Sequence, residues 1–355
     1  MRVIIIADCL NTQNTGIYQY ALQWISRTIN KYPNHEYLLV SSGQVADLDV
    51  EQKIIAIGSM IPFHYRLRYF FEIPRAVKRW NPDIVIEMAH FGPFLIPESI
   101  RRVTVVHDLT PVTRPSFHDV FSVIFHKLFI AKIIRKANYI ITNSNSSKED
   151  ISRLCKKDIS KIIVNYPELQ MPVKRRLEGT NHKNSILTIG TVEPRKDQIT
   201  ILKAFEKLSS INSSYKLELI GKDGWKNKQF WNRYKALGEL IKEKIEWHKF
   251  IPRHQLLDRL SSCRIFVFAS IAEGFGIPIL EAMTYGKPMI LSDIPVHREV
   301  AGEAALYFEV GNSEDLADKL VSLTSDQSLQ EALSRKSFAR AKYFANIEIE
   351  VPFLE

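Results

Sequence analysis

The stretch Ile265-Phe266-Val267-Phe268-Ala269, followed by Glu273-Gly274-Phe275-Gly276-Ile277-Pro278-Ile279-Leu280-Glu281, decides how the chain folds. A short, wholly apolar run reads as a strand covered on both faces. Pro278 marks the first turn of a helix, where its missing N–H costs nothing. Gly274 and Gly276 between them let the backbone approach a ligand. The free amides of Phe275, Gly276 and Ile277 at a helix start favour a phosphate. Glu281, about one turn further on, is placed to accept hydrogen bonds from a ribose diol. Glu273, in the loop, is placed to orient a hydroxyl-rich group. Read without a ligand, the same residues are a glycine turn and two solvated glutamates.

The strand–loop–helix pattern recurs on either side. Apolar runs at 186–190, 216–221, 245–250, 265–269, 288–292 and 304–308 read as buried strands. Helical periods lie between them, such as Ile199, Leu202, Phe205 and Leu208 after an N-cap at Asp197. The first half repeats the theme with strands near 2–7, 36–41, 53–57, 83–87, 103–107 and 138–142. Its expected helices are Ile17–Lys31, Tyr65–Trp80 and Val120–Ala137. Such alternation implies parallel sheets with helices on both faces. The class is α/β, with two doubly wound Rossmann-like domains over 1–167 and 168–340 and a tail over 341–355. Polar, proline-bearing sequence at 166–183 reads as the linker. Ligands of such sheets bind beyond the carboxyl ends of the strands, so a cleft between the domains is the expected site.

Composition narrows the class. At 355 residues the chain is too long for one ordinary domain, and 45% hydrophobic with 25% charged residues excludes disorder, collagen and coiled coil. Charges interrupt every apolar run well short of the ~18 residues of a membrane span. Met1 to Cys9 is too short in its apolar core for a signal peptide and reads as a first strand. Cys9, Cys155 and Cys263 form no CxxC pair, which fits a reducing, cytoplasmic setting. Residues 1–176 hold 24 Lys and Arg against 15 Asp and Glu, whereas residues 177–355 hold 24 of each. The whole net charge of +9 therefore lies in the first half and points to an anionic partner there: nucleic acid, a phospholipid surface or a phosphorylated substrate.

A second loop, Gly190-Thr191-Val192-Glu193-Pro194-Arg195-Lys196-Asp197, ends the second domain's first strand. Arg195 and Lys196 stand at a helix start, where the macrodipole disfavours cations unless an anion joins them. Together the E-x7-E pair Glu273/Glu281, the Glu-Pro-Arg-Lys loop and Pro295-Val296-His297-Arg298-Glu299-Val300 resemble one family. It is the family-four (group 1) retaining glycosyltransferases of GT-B fold, in their mannosyltransferase-like branch, which builds bacterial surface polysaccharides. The resemblance is strongest over 186–323. It implies that Lys196, with Arg195 beside it, binds the donor pyrophosphate, and that Glu281 holds the ribose. It further implies that Glu273 contacts the transferred sugar and that the amides of Phe275, Gly276 and Ile277 meet the phosphates and sugar. Thr191 stands where some relatives carry another arginine, a departure from the family's pattern at one phosphate contact.

In the first half, Asn14-Thr15-Gly16-Ile17-Tyr18 resembles the family's glycine loop near the donor phosphates, with Gly16 as its one glycine. It does not match GxGxxG, which argues against a dinucleotide dehydrogenase. Val106-His107-Asp108 resembles the His-Asp element near the reacting sugar. There His107 would donate to a sugar hydroxyl or share in proton transfer, with Asp108 orienting it. Ser144 and Ser147 resemble a cleft-facing element, and helix capping explains them equally well. Lys342-Tyr343-Phe344-Ala345 resembles the start of the family's crossing back to the first domain.

The resemblance implies a retaining transferase that moves a hexose from a nucleotide-diphosphate sugar, with GDP-mannose as the donor. The acceptor would be a glycan or lipid-linked intermediate of surface polysaccharide or lipopolysaccharide. Asp47-Leu48-Asp49 is a DxD pattern away from both phosphate loops, so no metal and no other cofactor is expected. The basic-aromatic stretch with Arg66, Arg68, Arg75 and Arg79 reads as a face for an anionic membrane or lipid diphosphate acceptor. Alternatively, its aromatics are core and its arginines the wet face. A cytoplasmic enzyme, peripheral on the inner face of the plasma membrane and binding no nucleic acid, is the expectation. The phenylalanines at 117, 121, 125 and 129 read as core. Alternatives are another GT-B enzyme, such as a nucleotide-sugar epimerase or phosphorylase, or a non-enzymatic nucleic-acid or membrane-binding protein.

Overall fold

The computed structural model describes residues 1–11, 15–56, 68–90, 92, 95–169, 171 and 184–355. The chain divides into two compact units, Met1–Glu168 with Ile347–Glu355, and Leu169–Asn346.

The first unit is built on seven strands: β1 (Arg2–Ile6), β2 (Glu36–Ser41), β3 (Glu51–Ile54), β4 (Ile84–Glu87), β5 (Arg101–Val105), β6 (Tyr139–Thr142) and β7 (Ile162–Val164). They form one parallel sheet in the order β3-β2-β1-β4-β5-β6-β7. β1 shows why the runs are apolar throughout. Val3 and Ile5 enter the core on one face with Tyr20, Trp24 and Ile25, while Ile4 and Ile6 meet Tyr69, Ile73 and Val77 on the other. Winding reverses at the β1/β4 pair, which leaves the ends of these strands open to loops. The helix Gly16–Lys31 starts there, and the Thr15 side chain caps it by accepting from the Tyr18 amide.

Residues 347–355 complete this core. Ile349, Val351, Phe353 and Leu354 are buried with β1 and the helix Gly16–Lys31. The Asn165 amide donates to Glu350 O (2.9 Å) and its oxygen accepts from Glu350 N (2.8 Å), an exchange resembling a strand pair. The preceding helix, Gln327–Ala345, stays in the second unit, so the tail expected from 341 starts at 347 instead. The reason is Phe344, buried with its ring edge-on to Phe275 at 5.8 Å.

The second unit carries six parallel strands: β8 (Ser185–Ile189), β9 (Lys216–Ile220), β10 (Ile245–His248), β11 (Ile265–Phe268), β12 (Met289–Ser292) and β13 (Ala305–Phe308). Their order is β10-β9-β8-β11-β12-β13, with the reversal at β8/β11. The helix Gln198–Ile211 buries Ile201, Leu202, Phe205 and Leu208 against the sheet and the helix Ser313–Ser325. Both units thus have the doubly wound arrangement read from the sequence.

Two sequence readings are corrected, and a third is resolved between its alternatives. Arg68 is not part of a surface face: its side chain is fully buried and forms a bidentate ion pair with Asp8, at 2.7 and 3.2 Å. A guanidinium carried inside needs a carboxylate of matching geometry, and Asp8 at the end of β1 supplies it. Arg75 and Arg79 are exposed on the helix Ile73–Trp80, whose Ile73, Ala76 and Val77 are core; Arg66 lies outside the described residues. Of the four phenylalanines spaced by four, only Phe125 is buried, while Phe121 is exposed. The helix over 120–136 includes a π turn at His126–Ile130, and its extra residue per turn breaks the sequence period. Finally, Ser144 caps the helix Asn145–Cys155, accepting from the Ser147 amide at 3.0 Å.

The Asp8–Arg68 pair yields a stability test. Arg68→Met strands a buried carboxylate and should cost about 3–5 kcal/mol. Arg75→Met, at an exposed position, should change stability by less than about 0.5 kcal/mol. Urea unfolding of the two variants measures the difference, and coincident midpoints would show that the pair does not hold the first unit together.

Candidate active site

At the β8/β11 reversal two loops meet. The loop after β8 carries Pro194–Lys196 as a single 3-10 turn, and the loop after β11 carries Glu273. Lys196 Nζ donates to Glu273 Oε1. Arg195 Nη1 donates to Glu273 Oε2 and to the Ala272 carbonyl, both at 2.9 Å, while its Nη2 donates to Glu193 Oε1 at 2.8 Å. A backbone bond from Ile271 N to Arg195 O (2.8 Å) ties the loops together. Arg195 therefore clamps one loop to the other, while Lys196 pairs with Glu273 alone among the described carboxylates.

The lysine is shaped as well as paired. Its stem crosses Gly190, where a Cβ would lie 3.4 Å from Lys196 Cδ, and Gly190 has φ +153°, in the region glycine favours. Its ammonium sits 4.9 Å from the Phe268 ring centroid. Burial raises the Glu273 pKa, but the Lys196 and Arg195 charges outweigh it and hold the carboxyl at about 2. Burial pushes Glu193 up, against the pull of Arg195.

The helix Ile277–Thr284 begins at Gly276, whose φ of +95° suits a residue without a side chain. Among the described residues neither the Gly276 nor the Ile277 amide donates within the chain, and Pro278 has no N–H, so this end is open to an acceptor. Phe275 is an anchor through its side chain, buried against Phe344. Glu281 faces Arg253 in an ion pair; burial raises its pKa and Arg253 lowers it.

His297 lies under the same site. Its Nδ1–H donates to the Ser292 carbonyl at 2.9 Å, and the Ser292 hydroxyl donates to Ser270 O at 2.6 Å. A carbonyl only accepts, so Nε2 holds the lone pair. The ring lies 5.4 Å from Phe268, the ring that also meets Lys196. Burial depresses its pKa to about 4 against the pull of Glu273. The rest of that motif is structural: Arg298 pairs with Asp293, and Glu299 O accepts from Arg340.

The first unit presents a separate cluster at the ends of β4 and β5. His107 Nε2–H donates to Met88 O at 2.9 Å, which leaves Nδ1 as an acceptor. Neutral His107 therefore offers a lone pair at Nδ1, which fits the part in proton transfer read from the sequence and not the alternative of donating to a hydroxyl. The Tyr20 ring meets it edge-on at 5.2 Å. Asp108 does not orient the imidazole, because its carboxylate accepts from Thr110 N and Oγ1 at 2.8 and 2.6 Å; it acts on His107 through charge. Two further histidines escaped the sequence reading. His126 Nδ1–H donates to Ser122 O (2.7 Å), so its Nε2 accepts from His90 Nε2–H at 3.1 Å. His90 has φ +55° and its ring centroid lies 6.4 Å from that of His107. No residue spacing links 90, 107 and 126; only the sheet order and the π turn do. Gly16 is exposed in the first turn of its helix, and the preceding 12–14 lie outside the described residues.

As for cations, Asp47 accepts from the Tyr18 hydroxyl at 2.8 Å. Among the described residues Glu218, Glu246 and His248 come together on β9 and β10, but Arg259 already pairs with both carboxylates and Lys216 with Glu246.

Comparison with known proteins gives this geometry a context. A model described as glycosyl transferases group 1 matches residues 172–340, and one described as Glycosyltransferase Family 4 matches 32–167. O-antigen chain mannosyltransferase B of Escherichia coli is 26% identical, over 97% of this chain and 96% of its own. O-antigen chain mannosyltransferase RfbU of Salmonella typhimurium is 25% identical, over 79% of this chain and 74% of its own. The solved structure of Anabaena HepE with UDP and glucose shares the fold at a TM-score of 0.72, with 13% identity over 97% of this chain and 95% of that one.

The buried histidines set an acid limit. Burial, as the largest effect, lowers the pKa of His90, His107 and His297 below the ordinary 6.5. Below that value the unfolded chain takes up protons that the folded chain refuses, so stability falls as pH drops. For His297 the window runs from about 6.5 to about 4. At about 1.4 kcal/mol for each pH unit between the two values, its share is on the order of 3 kcal/mol. Glu273 adds a lower window: its stabilising charge is full above 4.5 and is lost towards about 2. His297→Leu should shrink the gap between unfolding midpoints at pH 7 and pH 5. An unchanged gap would mean that His297 is not buried neutral.

Proposed function

This chain belongs to the group 1 glycosyltransferases of GT-B fold and is a glycosyltransferase enzyme; from that premise we propose how it binds its donor and which groups it joins. The observation that carries the reading is the Arg195–Glu273–Lys196 cluster beside the open helix start at Gly276. One strapped arginine, one lysine and unspent amides at a doubly wound switch point fit the diphosphate of a nucleotide sugar. Lys196 has three N–H donors and can hold a phosphate oxygen while still touching Glu273. Glu281 takes the ribose hydroxyls once Arg253 yields it, and Glu273 takes the transferred sugar.

The transfer is retaining and needs no metal. Charge grows on the leaving diphosphate, and Lys196 with the Gly276 and Ile277 amides stabilises it; such preorganised donors act most strongly away from bulk water. His107, through Nδ1, accepts from a sugar or acceptor hydroxyl. The relatives named above are O-antigen mannosyltransferases, which supports mannose as the sugar and a surface-polysaccharide acceptor; GDP-mannose as the donor and a lipid-linked form of the acceptor are part of the proposal. We place the reaction in the cytoplasm at the face of an anionic membrane; the excess positive charge of the first half supports this. No helix among the described residues is long and apolar enough to cross a membrane. Release of free nucleotide diphosphate only in the presence of acceptor separates this reading from an epimerase or a phosphorylase.

Lys196→Ala should weaken nucleotide-diphosphate binding by about 1.5–3 kcal/mol, as for a charge-assisted bond. Calorimetric titration with GDP measures this, and wild-type affinity in the variant would remove Lys196 from the donor site. Glu281→Gln should weaken GDP more than its deoxyribose analogue, whereas equal losses would end the ribose role. Turnover should survive excess EDTA; abolition by EDTA with rescue by manganese would require a metal at the reaction.

A further inference from the structure

The protons of three histidines in the first unit can all be placed. His126 Nδ1–H donates to Ser122 O at 2.7 Å, so its Nε2 accepts from His90 Nε2–H at 3.1 Å. His107 Nε2–H donates to Met88 O at 2.9 Å. A neutral imidazole carries one proton, and each ring has given its own to a stated acceptor. His90 is the middle ring, its centroid 5.2 Å from that of His126 and 6.4 Å from that of His107. Two uncommon backbone conformations meet at its bond to His126. His90 has φ +55°, in the left-handed region that a residue with a Cβ enters only against steric cost. His126 opens the π turn His126–Ile130, a rare geometry that gathers at functional sites. One hydrogen bond thus joins these two places across 36 positions of sequence.

For His107 to accept from a hydroxyl, its Nδ1 lone pair must be left to the substrate. A neighbouring imidazole whose proton has no fixed place competes for that lone pair, and one that becomes charged repels any proton His107 attracts. Burial, and then the nearness of His126 and His107, lowers the His90 pKa and keeps that ring neutral. Burial does the same to His107, against the pull of the Met88 carbonyl and the Asp108 charge. We propose that His126 is a positioning residue for the reaction. By accepting from His90 Nε2–H it keeps the His90 proton on that nitrogen and leaves the His107 lone pair to the reacting hydroxyl. Ser122 fixes the arrangement one step further back, since its carbonyl decides which nitrogen of His126 is the acceptor. The inference rests on the part proposed for His107 above and adds a residue that acts only through others.

The test compares the full chain, its histidines isotope-labelled, as wild type, His126→Gln, His126→Asn and His126→Leu. A glutamine oxygen reaches the place of Nε2, asparagine reaches only that of Nδ1, and leucine has no acceptor at all. Long-range nitrogen–proton spectra of the imidazoles should show His90 protonated at Nε2 alone in the wild type and in His126→Gln. In the other two variants its proton should be shared between both nitrogens. With GDP-mannose and octyl mannoside as the probe pair, kcat should fall about tenfold in His126→Asn and His126→Leu, the worth of one hydrogen bond. The KM for GDP-mannose should stay unchanged, and His126→Gln should recover kcat to within about threefold of the wild type. A merely structural role would lower the unfolding midpoints of both amide variants without separating them in spectrum or kcat, and that result overturns the proposal. So does a His90 proton that stays on Nε2 in His126→Leu; this measurement involves no acceptor and decides by itself. Wild-type kcat in His107→Gln is a different failure, since it ends the reading of His107 on which the proposal rests.

Discussion

A parallel sheet brings every connection from strand to helix out at the same edge. When the winding reverses, two such connections diverge and leave a gap that no side chain of the sheet can fill. In the second unit this gap lies between β8 and β11, and residues 77 positions apart, Lys196 and Glu273, meet across it. Everything chemical about that unit follows from this placement. The lysine stem passes over the glycine at 190, Phe268 supplies a ring near its ammonium, and Arg195 ties the two loops together. Cations gathered at the start of helices would repel one another and the helix dipole if Glu273 did not neutralise them. The carboxylate thus balances the two cations that the loops bring together.

That arrangement holds Arg195, Lys196 and Glu273 in fixed positions through contacts within the chain itself. Preorganised charge is effective because it need not be rearranged during the reaction, and a lysine held by a carboxylate keeps its position. His297 fits the same logic: a protonated imidazole beside Lys196 would add repulsion, and deep burial keeps it neutral. The first unit uses a different means to the same end. Backbone carbonyls at Met88 and Ser122 fix which nitrogen of His107 and of His126 carries its proton.

Much of this was readable in the sequence because it depends on local pattern. Wholly apolar runs disclosed the strands, and Gly276 before Pro278 disclosed the open helix start. Where the sequence misled, a long-range partner was the cause. Arg68 reads as a surface cation until Asp8, 60 residues earlier, is placed beside it. Phe121 reads as core because a period of four looks helical, and the π turn that breaks the period has no local signature. β7 escaped notice because Ile162–Val164 is only three residues long and gains its strand character from pairing with β6. Glu193 lay within the quoted loop, but its service as a seat for Arg195 needed the fold.

The return of residues 347–355 to the first unit has a consequence for synthesis. During translation the opening 168 residues emerge without Ile349, Val351, Phe353 and Leu354, which belong in their core. Those side chains leave the ribosome only after the entire second unit, a delay of roughly 10–35 s at about 5–20 residues per second. The nascent first unit must therefore wait with an apolar groove open beside β1, while the second unit has all its strands and can finish ahead of it. Vectorial synthesis then gives an order opposite to that of the gene: the half made later closes first, and the half made earlier is sealed by residues 347–355.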